Sequence, residues 1–378
     1  MNEKKLSSIE IKLVNRQMIY RYIRNNDSVS KQDIVIGLQL SLPTVTQNLQ
    51  YLEEQGLIDT SMKIKHTGGR NATAYTYIKD AKRAIGVYTT AHHINAVAVN
   101  LSGNVIEVAK ERIEFNLNDE AYLQKIGEVV EAVKQKAGIA DEDLLGVGIS
   151  VPGLVSEDGE DVIYGSTLNF TGKTKGEIAK YIPYENRLFH DSFAAGYAEA
   201  WIDPRVRNAF YISLSSSVGG SVVIDKSIYE GNSHKGGEIG HMVVIPEGGR
   251  QCYCGKYGCF DTVCHAGNLD QYTDGNLEEF FMLLKNGDET AKELWDKYLD
   301  NLAPAIHNIR MLFDSVVILG GYIGANIEPY MEELYKRVDA RNPFGDKAGN
   351  YLISCKYKVE ATAAGAALFY IENFIDNI

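Results

Sequence analysis

The stretch that most constrains this chain is Gly236-Gly237-Glu238-Ile239-Gly240-His241, followed by Cys252-Tyr253-Cys254-Gly255-Lys256-Tyr257-Gly258-Cys259. One imidazole and three thiols fall within a short, glycine-rich window. That is the donor set of a closed tetrahedral zinc site, with His241, Cys252, Cys254 and Cys259 as ligands. Four protein ligands leave no open position, so a structural ion is expected rather than a catalytic one. A disulfide is the competing reading. It is disfavoured because Cys252 and Cys254 are separated by one residue and because three thiols are an odd number. Three of the chain's five cysteines lie here. Cys264 and Cys355 are expected to be packed thiols, and His234 is a lesser alternative ligand.

With 378 residues, 45% of them hydrophobic and 23% charged, the chain is long enough for two or three domains with their own cores. No apolar run reaches membrane-spanning length, and Met1-Asn2-Glu3-Lys4-Lys5 has no apolar signal-peptide core behind it. Few cysteines, mostly clustered as metal ligands, fit a reducing cytoplasm. A net charge of −12 argues against a protein that coats nucleic acid uniformly. The charge is uneven, however. Residues 1–83 hold 13 Lys and Arg against 8 Asp and Glu, which leaves −17 for the remainder. A basic head on an acidic body suggests that only the head meets phosphate.

In that head, Ile11, Val14, Met18 and Tyr22 recur at helical spacing and predict a first helix over 10–24 with these residues as its apolar stripe. Ser30 is a plausible N-cap for a short second helix over 31–37. Ser41 caps a third, with Pro43 in its first turn and Val45, Leu49 and Leu52 as its buried face. Two short helices joined by a tight turn read as a helix-turn-helix. The other face of the third helix offers Thr44, Thr46, Gln47 and Gln50, hydrogen-bonding side chains suited to a major groove. Leu57-Ile58 and Lys63-Ile64-Lys65 read as strands around a turn, a wing closed by Gly68-Gly69-Arg70. Lys31, Ser41, Thr44, Thr46, Gln47, Gln50 and Arg70 are the expected DNA-contacting residues. A three-helix module that never touches DNA is the alternative.

Beyond the head, 84–88, 94–99 and 104–108 read as successive strands, 120–137 as a helix and 145–151 as a buried strand ending at Pro152-Gly153. Ala209–Leu214 and Val316–Leu319 are further strands. The closing segment, Thr362-Ala363-Ala364-Gly365-Ala366-Ala367, has small residues at helical spacing, which implies close helix packing.

The Gly-Glu-Ile-Gly-His and Cys-x-Cys-Gly-x-x-Gly-Cys pair resembles the signature of the ROK family, which groups repressors, open reading frames and sugar kinases. Leu40-Ser41-Leu42-Pro43-Thr44-Val45 and Gly68-Gly69-Arg70 resemble the winged helix of its repressors, so the likeness spans essentially the whole chain. It implies an α/β fold: an actin-like, sugar-kinase (ribonuclease H-like) two-lobed body with an N-terminal winged helix-turn-helix domain. Residues 1–80 would form that head, 81–193 with 361–378 the first lobe, and 194–360 the second lobe with the zinc loop. The implied sugar contacts are Gly153, Thr167, Asn169, His190, Asp191, Glu238, His241 and Asp261.

Three departures qualify the likeness. Where the kinases carry Asp-x-Gly-Gly-Thr-Lys for metal and phosphate, this chain has Tyr88-Thr89-Thr90-Ala91-His92-His93. Ser215-Ser216-Ser217 stands where they have a glycine-rich phosphate loop. His190 and Phe193 replace two Asn around Asp191, the family's general base. The resemblance therefore implies a cytoplasmic regulator that binds operator DNA and a sugar or sugar phosphate. It would hold Zn2+, pair as a homodimer through its body, and lack kinase activity and membrane attachment. A sugar kinase with a fused regulatory head, or a regulator controlled by a protein partner, are the alternatives.

Overall fold

The computed structural model describes residues 7–26, 28–64 and 72–378. The head opens with three capped helices, α1 (Ser8–Arg24), α2 (Lys31–Leu38) and α3 (Leu42–Glu54). Ser7 with Glu10 and Ser30 with Asp33 close reciprocal caps on the first two, and the Ser41 hydroxyl accepts the Thr44 amide on the third. Around them run β1 (Val29–Ser30), β2 (Ile58–Asp59), β3 (Lys63–Ile64) and β4 (Ala72–Tyr77).

Two expectations for the head are corrected. Of the expected stripe Tyr22 packs on the core, but Ile11, Val14 and Met18 are exposed, at 47%, 39% and 39%, while Ile19, Tyr20 and Ile23 are buried against Val45, Leu49 and Leu52. The helix carries apolar residues on adjacent faces, and the core chose the other one. The strands β2 and β3 do not pair with each other. Both pair antiparallel with β4, which also takes β1, so a strand that the sequence reading omitted is the centre of this sheet. Lys65 and Gly68-Gly69-Arg70 lie outside the described residues.

The first lobe follows as β5 (Arg83–Thr89), β6 (His93–Asn100), β7 (Val105–Arg112), α4 (Glu120–Lys136), β8 (Leu144–Val151), β9 (Leu154–Val155), β10 (Val162–Tyr164), α5 (Lys175–Ile178), β11 (Asn186–His190) and α6 (Asp191–Ile202). The second contains β12 (Ala209–Leu214), β13 (Val218–Ile224), β14 (Ser227–Tyr229), α7 (Asp261–Cys264), α8 (Gly267–Asp270), α9 (Leu277–Lys285), α10 (Glu289–Phe313), β15 (Val316–Gly320), α11 (Gly321–Gly324), α12 (Met331–Asp339) and β16 (Leu352–Ser354). The closing helix is α13 (Ala361–Asp376).

The two five-stranded sheets repeat one pattern. Their orders are β11-β8-β5-β6-β7 and β14-β13-β12-β15-β16, each an antiparallel meander extended by two parallel strands. Strand alternation sorts the layers. Ile85 and Val87 face α4, whereas Ala84 packs with α13 on the other side. In the second lobe Phe210, Ile212 and Leu214 pack with α10, while Tyr211 and Val223 pack with Ala195 and Ala200 of α6.

The middle of the body is thus a pair of helices, α13 on the first sheet and α6 on the second, in contact along their length. Small residues set their spacing. A Cβ on Gly86 would lie 1.7 Å from the Ala363 carbonyl oxygen, and one on Gly365 would lie 1.8 Å from that of Ala194. Residue 193, where the sequence reading divides the lobes, falls inside α6.

The head is joined to this pair. The Arg21 guanidinium donates to Glu372 and Asp376 of α13 at 2.7 and 2.6 Å. Arg24 lies 4.2 Å above the ring of Trp201 near the end of α6, and the Trp201 indole N–H donates to Glu372 at 2.8 Å. Head and first-lobe side chains form one continuous apolar cluster. Among the described residues, no helix is long and apolar enough to cross a membrane.

Candidate functional site

Between the lobes is a cavity of about 160 Å³. The ends of β5, β8 and β11 reach it from the first lobe, the β12–β13 turn and the 238–253 segment from the second. The start of α6 forms its floor, so His190, Asp191 and Ser192 are delivered together. Asp191 Oδ1 accepts the Ser192 amide at 2.6 Å and Oδ2 accepts the Tyr88 hydroxyl at 3.4 Å. His190 Nε2 is 3.2 Å from Asp191 Oδ1 and 3.9 Å from Glu238 Oε1. Its ring meets Phe193 edge-on, and its Nδ1 is buried without a partner.

Gly153, Thr167, His190, Asp191, Glu238 and His241 all line the cavity. Asn169 and Asp261 do not. Asn169 takes the left-handed turn that ends a short helical segment, with φ 55°. Asp261 is buried and spends Oδ1 on the Val218 amide at 2.7 Å, so it braces the start of β13. Tyr164, Tyr253 and Tyr322 line the cavity unforeseen. Tyr253 had a signal, because a residue between two metal ligands is bound to stand beside the metal's histidine. Tyr322 and Tyr164 had none.

The four foreseen metal ligands converge. Donor atoms of His241, Cys252, Cys254 and Cys259 all lie within 4.8 Å of one another. Cys254 and Cys259 sulfurs are 3.8 Å apart, and Cys252 Sγ is 3.7 Å from His241 Nδ1. Metal–ligand bonds of about 2.0–2.3 Å at tetrahedral angles give edges of roughly 3.6–3.8 Å, so the set fits a zinc-sized ion. Burial pushes the Cys252 and Cys259 thiols up, and thiolate ligation there calls for a cation. His241 Nε2 faces the Tyr253 hydroxyl at 3.3 Å on the cavity side. His234 is outside the cluster and pairs with Glu230 at 2.7 Å.

The far end of the cavity is closed by side chains. Burial raises the Tyr88 hydroxyl's pKa well above its ordinary range, so it stays a neutral donor. The Tyr211 hydroxyl accepts the Gly321 amide at 3.1 Å, and Ser215 Oγ accepts the Tyr322 amide at 3.3 Å. The amides of Gly321 and Tyr322, just after β15, are thus engaged by the protein's own oxygens.

In the head, Ser41, Thr46, Gln47 and Gln50 are exposed, while Thr44 is half-buried and bonded to the Ser41 hydroxyl at 2.8 Å. The Thr46 hydroxyl donates to the Leu42 carbonyl, leaving Gln47 and Gln50 as the longer outward groups. Lys31 opens α2, half-buried. Arg70 lies outside the described residues.

Residues 84–373, most of the chain, match the model of the ROK family. The chain belongs to the ROK family. Among ROK relatives, a xylose repressor of Caldicellulosiruptor bescii is 23% identical over 298 residues, covering 78% of this chain and 72% of that one. A crystal structure of a ROK family transcriptional regulator, homologous to the E. coli MLC protein, superposes with a TM-score of 0.75 at 23% identity and covers 97% of both chains. A ROK family glucokinase from Streptomyces griseus, solved with glucose and AMPPNP, gives a TM-score of 0.65 at 18% identity over 76% of this chain and 98% of that one. The body has the ROK sugar-kinase-like α/β fold.

Proposed function

We propose that this chain is a sugar-responsive transcriptional repressor of the cytoplasm, a winged helix-turn-helix head governed by a sugar in the interlobe cavity, without kinase activity. One observation carries the reading. The helix α6 starts at His190 and Asp191 in the cavity and ends at Trp201 against the head. Twelve residues span roughly 18 Å at 1.5 Å each, so one rigid element touches both places. Its partner α13 holds Arg21 through Glu372 and Asp376.

The mechanism is linkage. A sugar that hydrogen-bonds Asp191 and Glu238 binds best to one spacing of the lobes. Any shift of α6 and α13 that this spacing requires is passed to α1 through the Trp201–Glu372–Arg21 cluster. The two heads of a homodimer, joined through the body, then no longer match the spacing of operator half-sites. In the head, α3 enters the major groove with Ser41, Thr44, Thr46, Gln47 and Gln50, while Lys31 and Arg70 grip phosphate. Zinc held by His241, Cys252, Cys254 and Cys259 fixes the loop that presents Glu238, His241 and Tyr253. When bound, it supplies a rigid cross-link and no reaction chemistry.

The retained Asp191 favours a second reading, a sugar kinase with a fused head. Against it stand Tyr88 in place of the kinase carboxylate and the engaged amides at Gly321 and Tyr322. Incubation with ATP, magnesium and a panel of sugars separates the two: turnover above background supports the kinase, none supports the repressor. Binding of the full chain to duplexes from its own upstream region, followed by fluorescence anisotropy, tests the head directly.

A further inference from the structure

The cavity's charge narrows its ligand, an inference that rests on the sugar-binding reading above. Among the described residues that line it, Asp191 and Glu238 are the charged side chains at neutral pH, with no Lys or Arg among them. His190 sits against both carboxylates. Whether that imidazole is neutral or protonated, the three groups sum to −2 or −1. The other histidine, His241, turns Nδ1 to the thiols and Nε2 to Tyr253.

Four backbone amides at or beside the cavity, each a possible seat for an anion, are taken by the protein's own oxygens. A helix N-terminus is an anion site by default, but at α6 the Asp191 carboxylate accepts the Ser192 amide. The Asp261 carboxylate accepts the Val218 amide, the Tyr211 hydroxyl the Gly321 amide, and Ser215 Oγ the Tyr322 amide. Nearby guanidinium groups are committed elsewhere. Arg187 donates to the Glu157 carbonyl behind His190, and Arg250 to the Thr262 carbonyl and the Asn268 side chain.

What remains suits a polyol. Asp191 and Glu238 are strong acceptors for hydroxyl donors. Tyr164 from the first lobe and Tyr253 from the second, 52% and 57% exposed, offer aromatic surface for the apolar face of a sugar ring. A cavity of about 160 Å³ has room for a single ring. We propose that the effector is an uncharged, unphosphorylated monosaccharide and that sugar phosphates are rejected. A phosphate dianion would stand beside two carboxylates with no cation to meet it, and like-charge juxtaposition is strongly unfavourable.

The test is titration calorimetry of the full chain with neutral pentoses, hexoses and N-acetylhexosamines, each beside its terminal phosphate ester. At least one neutral sugar should bind, with its ester weaker by at least about 100-fold, the scale of like-charge discrimination. Its Kd should be nearly independent of salt. Glu238→Lys, which adds the missing cation, should narrow that gap by strengthening the ester. An ester that binds as tightly as its parent sugar overturns the proposal while leaving the sugar-site reading intact. If no sugar of either kind binds to protein that still binds DNA, the sugar-site reading fails, and this proposal with it.

Discussion

Replacing Trp201 by Phe should disconnect the cavity from the head. Phe keeps an aromatic ring under Arg24 but removes the N–H that donates to Glu372 at 2.8 Å. A hydrogen bond to a charged group contributes about 1.5–3 kcal/mol, and the half-buried setting here points to the lower end. Each 1.4 kcal/mol is a factor of about ten in an equilibrium constant. If that bond transmits the sugar signal, its loss should shrink the sugar-induced change in operator affinity by up to about tenfold. The cavity lies at the far end of α6, so sugar affinity measured without DNA should stay near wild type. The assay is fluorescence anisotropy on labelled operator at fixed salt, with and without saturating sugar. Glu372→Gln, which weakens the contact to Arg21 as well, should behave alike. A Trp201→Phe protein that binds sugar and DNA normally and keeps the full sugar response refutes the transmission route.

Other predictions address the scaffold. Cys259→Ser, or treatment with a strong chelator, should release zinc, lower the melting temperature and weaken sugar binding together; unchanged metal content by atomic absorption would contradict the ligand assignment. Gly365→Ala puts a Cβ where the Ala194 carbonyl oxygen stands, 1.8 Å away. Forcing α13 off α6 should cost about 1–3 kcal/mol in urea unfolding, and an unmoved midpoint would argue against backbone contact there. The Arg205 guanidinium holds the Asp203 carboxyl well below its ordinary 3.8, with Lys356 adding to it. A depressed folded-state pKa gives stability that is complete above the unfolded value and lost as pH falls through the folded one. Asp203→Asn should therefore flatten stability against pH below about 4, and a variant that acid-unfolds like wild type would count against it.

Some of this molecule was legible from residues alone. The zinc-type loop was, because its donors are close in sequence and thiols at that spacing have few other uses. Helix starts at Ser30 and Ser41 were, because an N-cap is a local hydrogen bond. The buried face of α1 was not. Periodicity reports that Ile11, Val14 and Met18 share a face, but tertiary packing selected Ile19, Tyr20 and Ile23. The six-residue strand β4 was missed because its Thr, Ala and Tyr residues show no clean burial alternation. Asp261 has the right charge for a sugar contact, yet its carboxylate turns to an amide 43 residues back, which no motif encodes. The Trp201–Glu372 contact joins positions 171 apart and becomes visible only when α6 and α13 are laid together.

The most direct measurement is operator affinity as a function of the neutral sugar that calorimetry identifies, at constant salt because phosphate contacts make affinity salt-dependent. A change of about 5–150-fold between sugar-free and saturated protein is predicted, with an equal change in sugar affinity on adding operator. An operator Kd that stays constant from zero to saturating sugar contradicts a cavity that governs the head.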